Sequence, residues 1–357
     1  MPMSLRPANP RLVVVCRVST RCNLICSFCA YDQRLRFARE TLSEAHIEHL
    51  IALMSTRHRS VGDAPPLLSW LGGEPLLWKR WVHFSARARA AGIAVSATTN
   101  GSTLWRPATR AAVLDHLDEL TVSVDAIGAK HDRMRGWRGG YARVLAALQA
   151  LARDRGQGSG RIRLRANIVL MRSTIGQFAE LCRALAEAGV DEISFNLLGG
   201  RDRPEFHADE AVSAPAWAEF AEALPRLRES LARSGLRLSG DPAYLRRLHA
   251  AARGQRWPVA DCDPGTQLLF VDEHGRMAPC AFTVAEYGVS LDQINDLAEL
   301  PAYFRAARRA RCAQSCGDCP STQVFGKFEL PGRLGSAATR VVDLQRVPPD
   351  VRDRDYA

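Results

Sequence analysis

Three cysteines in one short loop, Cys22, Cys26 and Cys29, have the spacing of an iron–sulfur site. They follow an apolar run and form a C-x3-C-x2-C pattern. Three closely spaced thiolates can hold three of the four irons of a [4Fe–4S] cube. The loop has no fourth cysteine, so one iron stays open to an outside ligand. An open coordination position is typical of a catalytic metal site rather than a structural one.

A zinc knuckle or a disulfide cluster is the alternative for this loop. Zinc would need a fourth ligand at similar spacing. The nearest downstream histidines, His46 and His49, fall in a helical pattern instead. The spacing therefore favours the iron–sulfur interpretation.

A second motif, Gly72, Gly73, Glu74 and Pro75, follows the apolar stretch 67–71 about one strand–helix unit later. Glycines let a backbone come close to a ligand. A carboxylate together with strand-end carbonyls suits an ammonium group. By itself such a tetrapeptide is an ordinary turn, but its distance from the cysteine loop makes it informative.

Together the two motifs resemble those of the radical S-adenosylmethionine (SAM) superfamily. In that family the residue before the third cysteine is usually aromatic, and here it is Phe28. The resemblance implies that the open iron binds the amino and carboxylate groups of SAM, and that the Gly-Gly-Glu-Pro turn holds the amino group. It also implies that the reduced cluster splits SAM into methionine and a 5′-deoxyadenosyl radical, which takes a hydrogen atom from the substrate.

The elements that must position these motifs alternate between strand and helix from about residue 11 to 199. Predicted strands cover 11–18, 67–71, 93–98, 120–124, 161–170 and 192–198, and predicted helices cover 42–56, 78–91, 107–117, 141–153 and 175–188. Such alternation predicts an α/β fold with a parallel sheet and right-handed crossovers. The resemblance implies a partial (β/α)6 radical SAM barrel. Ligands bind such folds at the carboxyl ends of the strands.

Polar residues at the later strand ends extend the predicted site. Asn100 follows the third strand, and Ser123 and Asp125 point to the same side of the fourth. The resemblance suggests that Ser123 and Asp125 contact the ribose or the carboxylate of SAM. Asn167 and Asn196 lie in otherwise apolar strands, and buried amides need partners. Adenine, substrate, a water or a neighbouring strand could provide them.

Two further groups of charged residues are weaker candidates. Arg163 and Arg165 alternate along a strand, so at least one is a candidate for the barrel mouth. His131, Arg133 and Arg135 lie in a glycine-rich stretch, for which we predict a solvated loop.

A second cysteine group lies near the C-terminus and comprises Cys262, Cys280, Cys312, Cys316 and Cys319. A hairpin is predicted over 268–280 and a helix over 291–309. A hairpin, a helix and a cysteine loop resemble the twitch domain, the short form of the SPASM extension of radical SAM enzymes. The resemblance implies a small domain with one auxiliary [4Fe–4S] cluster. A zinc ribbon with four thiolates is the alternative.

A closed auxiliary cube needs four of these five cysteines. A resemblance to radical SAM aminocyclitol dehydrogenases implies that Cys262, Cys280, Cys316 and Cys319 are the ligands. Cys312 is then left over, and its thiol is a candidate hydrogen-atom donor.

At 357 residues the chain exceeds what one hydrophobic core usually supports, about 250–300 residues. The predicted organisation is an N-terminal tail (1–10), the partial barrel (11–200), a helical linker (201–261), the auxiliary cluster domain (262–325) and a C-terminal tail (326–357).

Composition indicates the cellular setting. The net charge of +10 comes mainly from scattered arginines, so we expect a solvated surface and no nucleic-acid partner. No apolar run reaches the roughly 20 residues that span a membrane, and the first residues carry no signal-peptide core. We therefore expect a cytoplasmic protein. Ten cysteines in a reducing compartment favour metal over disulfides, although Cys16 and Cys182 are predicted to be small buried residues.

The reaction is less constrained than the cofactors. An auxiliary cluster that accepts an electron favours dehydrogenation, a spare thiol favours epimerisation, and decarboxylation is a third outcome. About ten residues precede the first strand, too few for a leader-peptide domain, so we expect a small polar substrate such as an aminocyclitol, sugar or nucleoside. The alternatives are a peptide-modifying enzyme and a non-catalytic zinc or iron–sulfur module. A flavodoxin- or ferredoxin-type protein is the expected electron donor.

Overall fold

The computed structural model describes residues 11–61, 64–155, 162–199, 203–255 and 262–311. Six parallel strands form its centre: β1 (Val13–Ser19), β2 (Leu67–Gly72), β3 (Ala94–Thr99), β4 (Glu119–Ser123), β5 (Arg163–Leu170) and β6 (Glu192–Leu197). The connecting helices are α1 (Glu44–Val61), α2 (Trp81–Ala90), α3 (Pro107–His116), α4 (Gly128–Arg135), α5 (Gly140–Asp154) and α6 (Phe178–Glu187). Each strand pairs with the next in parallel. The predicted α/β partial barrel is confirmed.

The strands read as apolar runs because helices and neighbouring segments cover both of their faces. In β1 every residue except Arg17 is buried. In β2 the first four residues, including Trp70, are buried. Periodicity of two is therefore weak in these strands, and their length and β-branched residues are the useful signals.

The rest of the described chain adds elements at both edges of this sheet. They are α7 (Pro204–Glu210), α8 (Ala214–Arg233), β7 (Arg237–Leu238), α9 (Pro242–Ala252), β8 (Leu268–Val271), β9 (Arg276–Ala278), α10 (Val284–Tyr287), β10 (Val289–Ser290) and α11 (Leu300–Arg311). The complete strand order is β10-β9-β8-β1-β2-β3-β4-β5-β6-β7. No helix among the described residues has both the length and the apolar character needed to cross a bilayer.

The predicted C-terminal hairpin is present as β8 and β9, and it continues the barrel sheet. β8 pairs with β1 in parallel, from Val13 opposite Leu268 to Cys16 opposite Val271. The segment between barrel and hairpin also belongs to the sheet, because β7 pairs with β6. The proposed domain boundaries remain predictions.

The predicted helix over 291–309 begins later than expected. Short 3-10 turns occupy Leu291–Gln293 and Leu297–Glu299, and α11 follows them. The side chain of Asp296 accepts a hydrogen bond from the backbone N of Ala298. Aspartate at this position caps a new helical turn, which explains the interruption.

The barrel-mouth interpretation of the two strand arginines is wrong. Arg163 is exposed at the start of β5. Arg165 is buried and forms ion pairs with Glu119, 3.4 Å away, and Glu192, 2.5 Å away. Both carboxylates begin their strands, so this cluster closes the end of the barrel opposite the carboxyl ends.

Candidate active site

The three cysteines of the first motif lie on the loop that follows β1. The backbone N of Cys29 donates to the carbonyl of Cys26 at 3.0 Å, which makes a tight turn. Cys22 and Cys29 are partly buried and Cys26 is buried. Burial raises the pKa of the Cys26 thiol to about 12, and the neighbouring charges of Cys29 and Cys22 act in the same direction. A thiol in such a place becomes a thiolate when it coordinates a metal.

The end of β3 contacts this loop, as the strand-end pattern predicted. The side-chain amide of Asn100 donates to Cys22 Sγ at 3.7 Å and to Asn23 Oδ1 at 3.1 Å. The amide of Asn23 in turn donates to Ser102 Oγ at 3.0 Å. Asn100 thus contacts Cys22, one of the expected cluster ligands. Its contact with SAM stays a prediction.

The two glycines of the second motif bring two backbone segments together. A Cβ at Gly72 would lie 2.3 Å from the carbonyl oxygen of Ser19, and one at Gly73 would lie 2.2 Å from that of Arg21. The backbone N of Glu74 donates to the same Arg21 carbonyl at 2.8 Å. The sequence predicted that these glycines bring the backbone close to a ligand. In the structure they bring it close to the end of β1 and to the cysteine loop, and only glycine leaves room there.

Glu74 is buried and its carboxylate orders the strand ends. Oε1 accepts from Thr99 Oγ1 at 2.7 Å and from the backbone N of Leu76 at 3.1 Å, in the turn that begins with Pro75. Oε2 accepts from the backbone N of Asn100 at 2.6 Å. Burial raises the pKa of Glu74 to about 7. A carboxylate offers about four acceptor sites, of which three are used within the protein, and contact of Glu74 with the SAM ammonium group remains a prediction.

Asp125, beyond the end of β4, is buried and forms an ion pair with Arg135. Its other oxygen accepts from the backbone N of Val169 at 2.9 Å. Ser123 is partly buried and lies opposite Asn167 in the sheet register. The predicted contacts of Ser123 and Asp125 with SAM remain predictions, and the carboxylate of Asp125 already has two protein partners.

The solvated-loop prediction for the stretch after Asp125 is wrong. The stretch forms α4, in which His131 is 0 % exposed and Arg135 is 6 % exposed, while Arg133 faces solvent. Arg135 can be buried because Asp125 balances its charge. The sequence gives little sign of this helix, because its residues are polar and lack an apolar period.

The C-terminal end of α4 supports the cysteine loop. The carbonyl of Arg135 accepts from the backbone N of Ile25 at 3.3 Å, and its guanidinium lies 5.7 Å from the centre of the Phe28 ring. Gly136 ends the helix with φ of 63°, and a Cβ there would lie 2.0 Å from Ile25 Cγ1. Arg135 therefore lies beside the cysteine loop, whereas the sequence made it only a weaker candidate within a predicted solvated loop.

The two strand asparagines bind one another. Asn167 Nδ2 donates to Asn196 Oδ1 at 3.4 Å, and Ser194 Oγ donates to Asn167 Oδ1 at 3.1 Å. The neighbouring strand thus supplies partners for both amides. Contact with adenine or substrate is untested.

In the second cysteine group only Cys262 and Cys280 fall within the described residues, and both are partly buried. Cys280 Sγ lies 3.5 Å from Thr283 Oγ1. Cys312, Cys316 and Cys319 lie outside the described residues. The auxiliary ligand set and the role of Cys312 remain predictions. Cys16 and Cys182 are fully buried, as predicted, and burial raises the pKa of both thiols.

The residues around the first loop fit an anionic iron–sulfur cluster. Three thiols come together with the cationic Arg135, whose buried Nε has no hydrogen-bond partner in the structure. Within the described ranges no three His, Cys, Asp or Glu side chains converge on one metal ion. A cube does not need such convergence, because each cysteine binds a different iron.

The fold is a parallel partial barrel that carries a three-cysteine loop at the carboxyl edge of its strands. Residues 16–171 match the family model of the radical SAM superfamily. These residues are therefore a radical SAM domain, and the cofactors of that family are a [4Fe–4S] cluster and SAM.

The chain is also similar to three known proteins. It is 29% identical over 218 residues to the pre-heme d1 synthase of Dinoroseobacter shibae, a match that covers 59% of this chain and 50% of that protein. It is 25% identical over 340 residues to the PqqA peptide cyclase of Xanthomonas euvesicatoria pv. vesicatoria, covering 90% of this chain and 83% of the other. The structure of Streptococcus suis SuiB bound to S-adenosylmethionine covers 81% of this chain with a TM-score of 0.61 at 16% identity.

The length of these matches differs. The chain spans about half of the pre-heme d1 synthase and 65% of SuiB. The likeness to SuiB is one of fold.

Proposed function

We propose that this protein is a radical SAM enzyme that modifies a peptide. The observation that carries the proposal is the similarity to PqqA peptide cyclase over 90% of this chain, well beyond the radical SAM domain itself. The name of that relative specifies a peptide substrate. The proposal replaces the aminocyclitol, sugar or nucleoside substrate that the sequence alone favoured, because the similarity supports the peptide alternative better.

In this proposal the described residues have distinct roles. Cys22, Cys26 and Cys29 hold the cluster, and Asn100 and Glu74 order the strand ends beside it. Arg135 supplies a positive charge next to the thiolates. When bound, the cluster and SAM supply one-electron chemistry that begins with removal of a hydrogen atom from the substrate.

The proposal includes a second cluster held by Cys262, Cys280, Cys316 and Cys319, and a flavodoxin- or ferredoxin-type donor. With a peptide as substrate, crosslinking or epimerisation is the expected outcome. In an epimerisation Cys312 would donate a hydrogen atom to the substrate radical, and the electron donor would return an electron, with a proton, to the resulting thiyl radical. For crosslinking or dehydrogenation, the four cysteines that would hold the auxiliary cluster would thereby supply an acceptor for the second electron.

Formation of 5′-deoxyadenosine tests the substrate class. The anaerobically reconstituted protein is incubated with SAM and dithionite, together with either a pool of randomised peptides or a pool of aminocyclitols and sugars. We expect the peptide pool to raise 5′-deoxyadenosine above the uncoupled rate, with a matching mass change in a subset of peptides. Stimulation by the aminocyclitol and sugar pool alone would overturn the peptide proposal.

Cysteine variants provide the control. Cys22→Ala should abolish 5′-deoxyadenosine formation, whereas Cys182→Ala, which changes a buried cysteine of α6, should retain it. Iron analysis tests the second cluster: about eight irons should fall to about four when Cys22, Cys26 and Cys29 are all replaced by alanine. About four irons falling to none would remove the auxiliary cluster from the proposal.

A further inference from the structure

Helix α7 is attached at its N-terminal end to the cysteine loop. Arg203, the residue before the helix, donates from Nη1 to the carbonyl oxygen of Cys29 at 3.3 Å and to Asp32 Oδ2 at 3.4 Å. The ring of Phe206, in the first turn, has its centre 6.1 Å from that of Phe28. The start of α7 thus contacts the backbone of the third cysteine and the aromatic residue before it.

The other end of α7 is attached to the loop after β5. The backbone N of Arg172 donates to the carbonyl of Glu210 at 2.8 Å, and its side-chain Nε donates to the carbonyl of Asp209 at 2.7 Å. The backbone N of Ser173 donates to Glu210 Oε2 at 3.0 Å. Arg172 and Ser173 lie just beyond the carboxyl end of β5.

These two attachments place α7 across the mouth of the partial barrel. β1 and β5 are four positions apart in the sheet, which corresponds to about 19 Å along it at a strand spacing of about 4.8 Å. A helix of seven residues is only about 10 Å long. The loops after β1 and β5 span the remaining distance, so α7 connects these two loops beyond the carboxyl ends of the strands.

Opposite charges on Arg203 and Asp32 stabilise the contact between α7 and the cysteine loop. The side chain of Asp32 is only 2% exposed and needs cationic partners, of which Arg34 is 55% exposed and Arg203 is 14% exposed. The Cys29 carbonyl also accepts from the backbone N of Asp32 at 3.2 Å. Arg203 therefore adds a charge-assisted hydrogen bond to the turn that carries Cys29.

We propose that Arg203 is a positioning residue for Cys29, and that the order of α7 is coupled to the occupancy of the cysteine loop by its cluster. A cluster fixes the backbone of Cys29, which fixes the acceptor for Arg203 and thereby α7. Coupling of this kind is reciprocal in binding free energy, so a well-ordered α7 also raises the affinity of the loop for its cluster.

Hydrogen–deuterium exchange of the α7 amides tests the coupling, with the iron-free and the reconstituted protein compared. In the wild type we expect exchange about tenfold slower after reconstitution, the size of effect of a hydrogen bond to a charged group. In Arg203→Met the difference between the two states should fall below about twofold. Arg172→Met is the matched control: it should speed exchange in both states and leave their ratio unchanged.

Iron release to a chelator gives an independent measurement of the same coupling. At equilibrium with the chelator, Arg203→Met should hold its iron about tenfold more weakly than the wild type, and Arg172→Met more weakly by a smaller factor. Arg203→Gln, which keeps a polar side chain, provides a milder variant if Arg203→Met does not fold, and it should lower the ratio as well. A cluster-dependent exchange ratio that survives in Arg203→Met, or in Arg203→Gln where Arg203→Met does not fold, would overturn the proposal, as would a wild type without any such ratio.

Discussion

The absence of a side chain at Gly73 lets the Gly-Gly-Glu-Pro turn pack directly against the cysteine loop. The turn before Glu74 and the loop before Cys22 touch through their backbones, and a Cβ at Gly73 would lie 2.9 Å from the backbone N of Cys22. That distance leaves no space for a methyl group, and the obstacle is backbone that cannot rotate away. The constraint therefore acts directly on the position of the first cysteine.

Gly73→Ala should displace the cysteine loop and lower the free energy of unfolding by about 1–3 kcal/mol, the usual cost of overpacking. Iron content after reconstitution should fall as well. Gly176→Ala is the matched control, because a Cβ there meets nothing within 4 Å. Urea unfolding and iron analysis of both variants check this expectation, and equal behaviour of the two would contradict it.

His131 gives the site a defined response to acid. Burial lowers its pKa to about 4, Arg135 acts in the same direction, and Asp125 and Asp132 oppose the shift. The native protein keeps this histidine neutral, whereas in the unfolded chain it takes up a proton near pH 6.5. Its contribution to stability is therefore complete above about pH 6.5 and is lost as the pH falls towards 4, by about 3 kcal/mol.

His131→Asn, which retains a hydrogen-bond acceptor, should flatten the pH dependence of stability between about pH 4 and 6.5. Urea unfolding at a series of pH values measures the slope. His83→Asn replaces an exposed histidine of α2 and should leave the slope as it is in the wild type. A slope that persists in His131→Asn would assign the acid response to other groups.

At the scale of elements, α4 is the support on which the cysteine loop rests. Its last residue, Arg135, forms an ion pair with Asp125 and its carbonyl accepts from Ile25. Both charged side chains are buried. Removing one member of a buried pair leaves the other charge uncompensated, which is costlier than losing the attraction alone.

Arg135→Met should lower the free energy of unfolding by about 3–5 kcal/mol because Asp125 is then buried without its cation. Arg133→Met, on the exposed side of the same helix, should change it by less than about 0.5 kcal/mol. Adding Asp125→Asn to Arg135→Met should recover part of the loss. Chemical denaturation of the three variants checks these values, and a similar cost for both arginines would contradict them.

At the scale of the whole molecule, the sheet joins the radical SAM domain to the segment that carries Cys280. Four register pairs link β1 to β8, and the side chains of β8 are all buried. A side-chain contact adds to this pairing: Arg17 of β1 forms an ion pair with Glu273 in the turn between β8 and β9. The hairpin and the cysteine loop are thus fixed to the same strand.

Leu269→Ala, in the middle of β8, should therefore destabilise the barrel and the hairpin together, by about 2–5 kcal/mol for a fully buried leucine. A single unfolding transition should be retained. Tyr303→Ala on α11 removes a side chain that is 48% exposed and should have little effect. A separate early transition confined to the hairpin, seen by hydrogen exchange, would contradict the shared sheet.

The sequence by itself determined the features that local patterns encode. The six strands, five of the six helices between them, the cysteine loop and the Gly-Gly-Glu-Pro turn all follow from short apolar runs, residue spacing and turn residues. Strand boundaries were correct to within about two residues because each run ends where its burial ends. The gathering of motifs at one edge followed from the parallel order, since the carboxyl ends of parallel strands lie together.

Only the tertiary structure decided which distant residues became partners. The sequence of α4 is mostly polar and predicts a loop, whereas the burial of Arg135 depends on Asp125, ten residues earlier. Arg203 meets Cys29 across 174 residues of sequence. β8 pairs with β1 as well as with its hairpin partner β9. Charge compensation and strand pairing between distant segments leave no local period in the sequence, because their energy depends on contacts that exist only once the chain is folded.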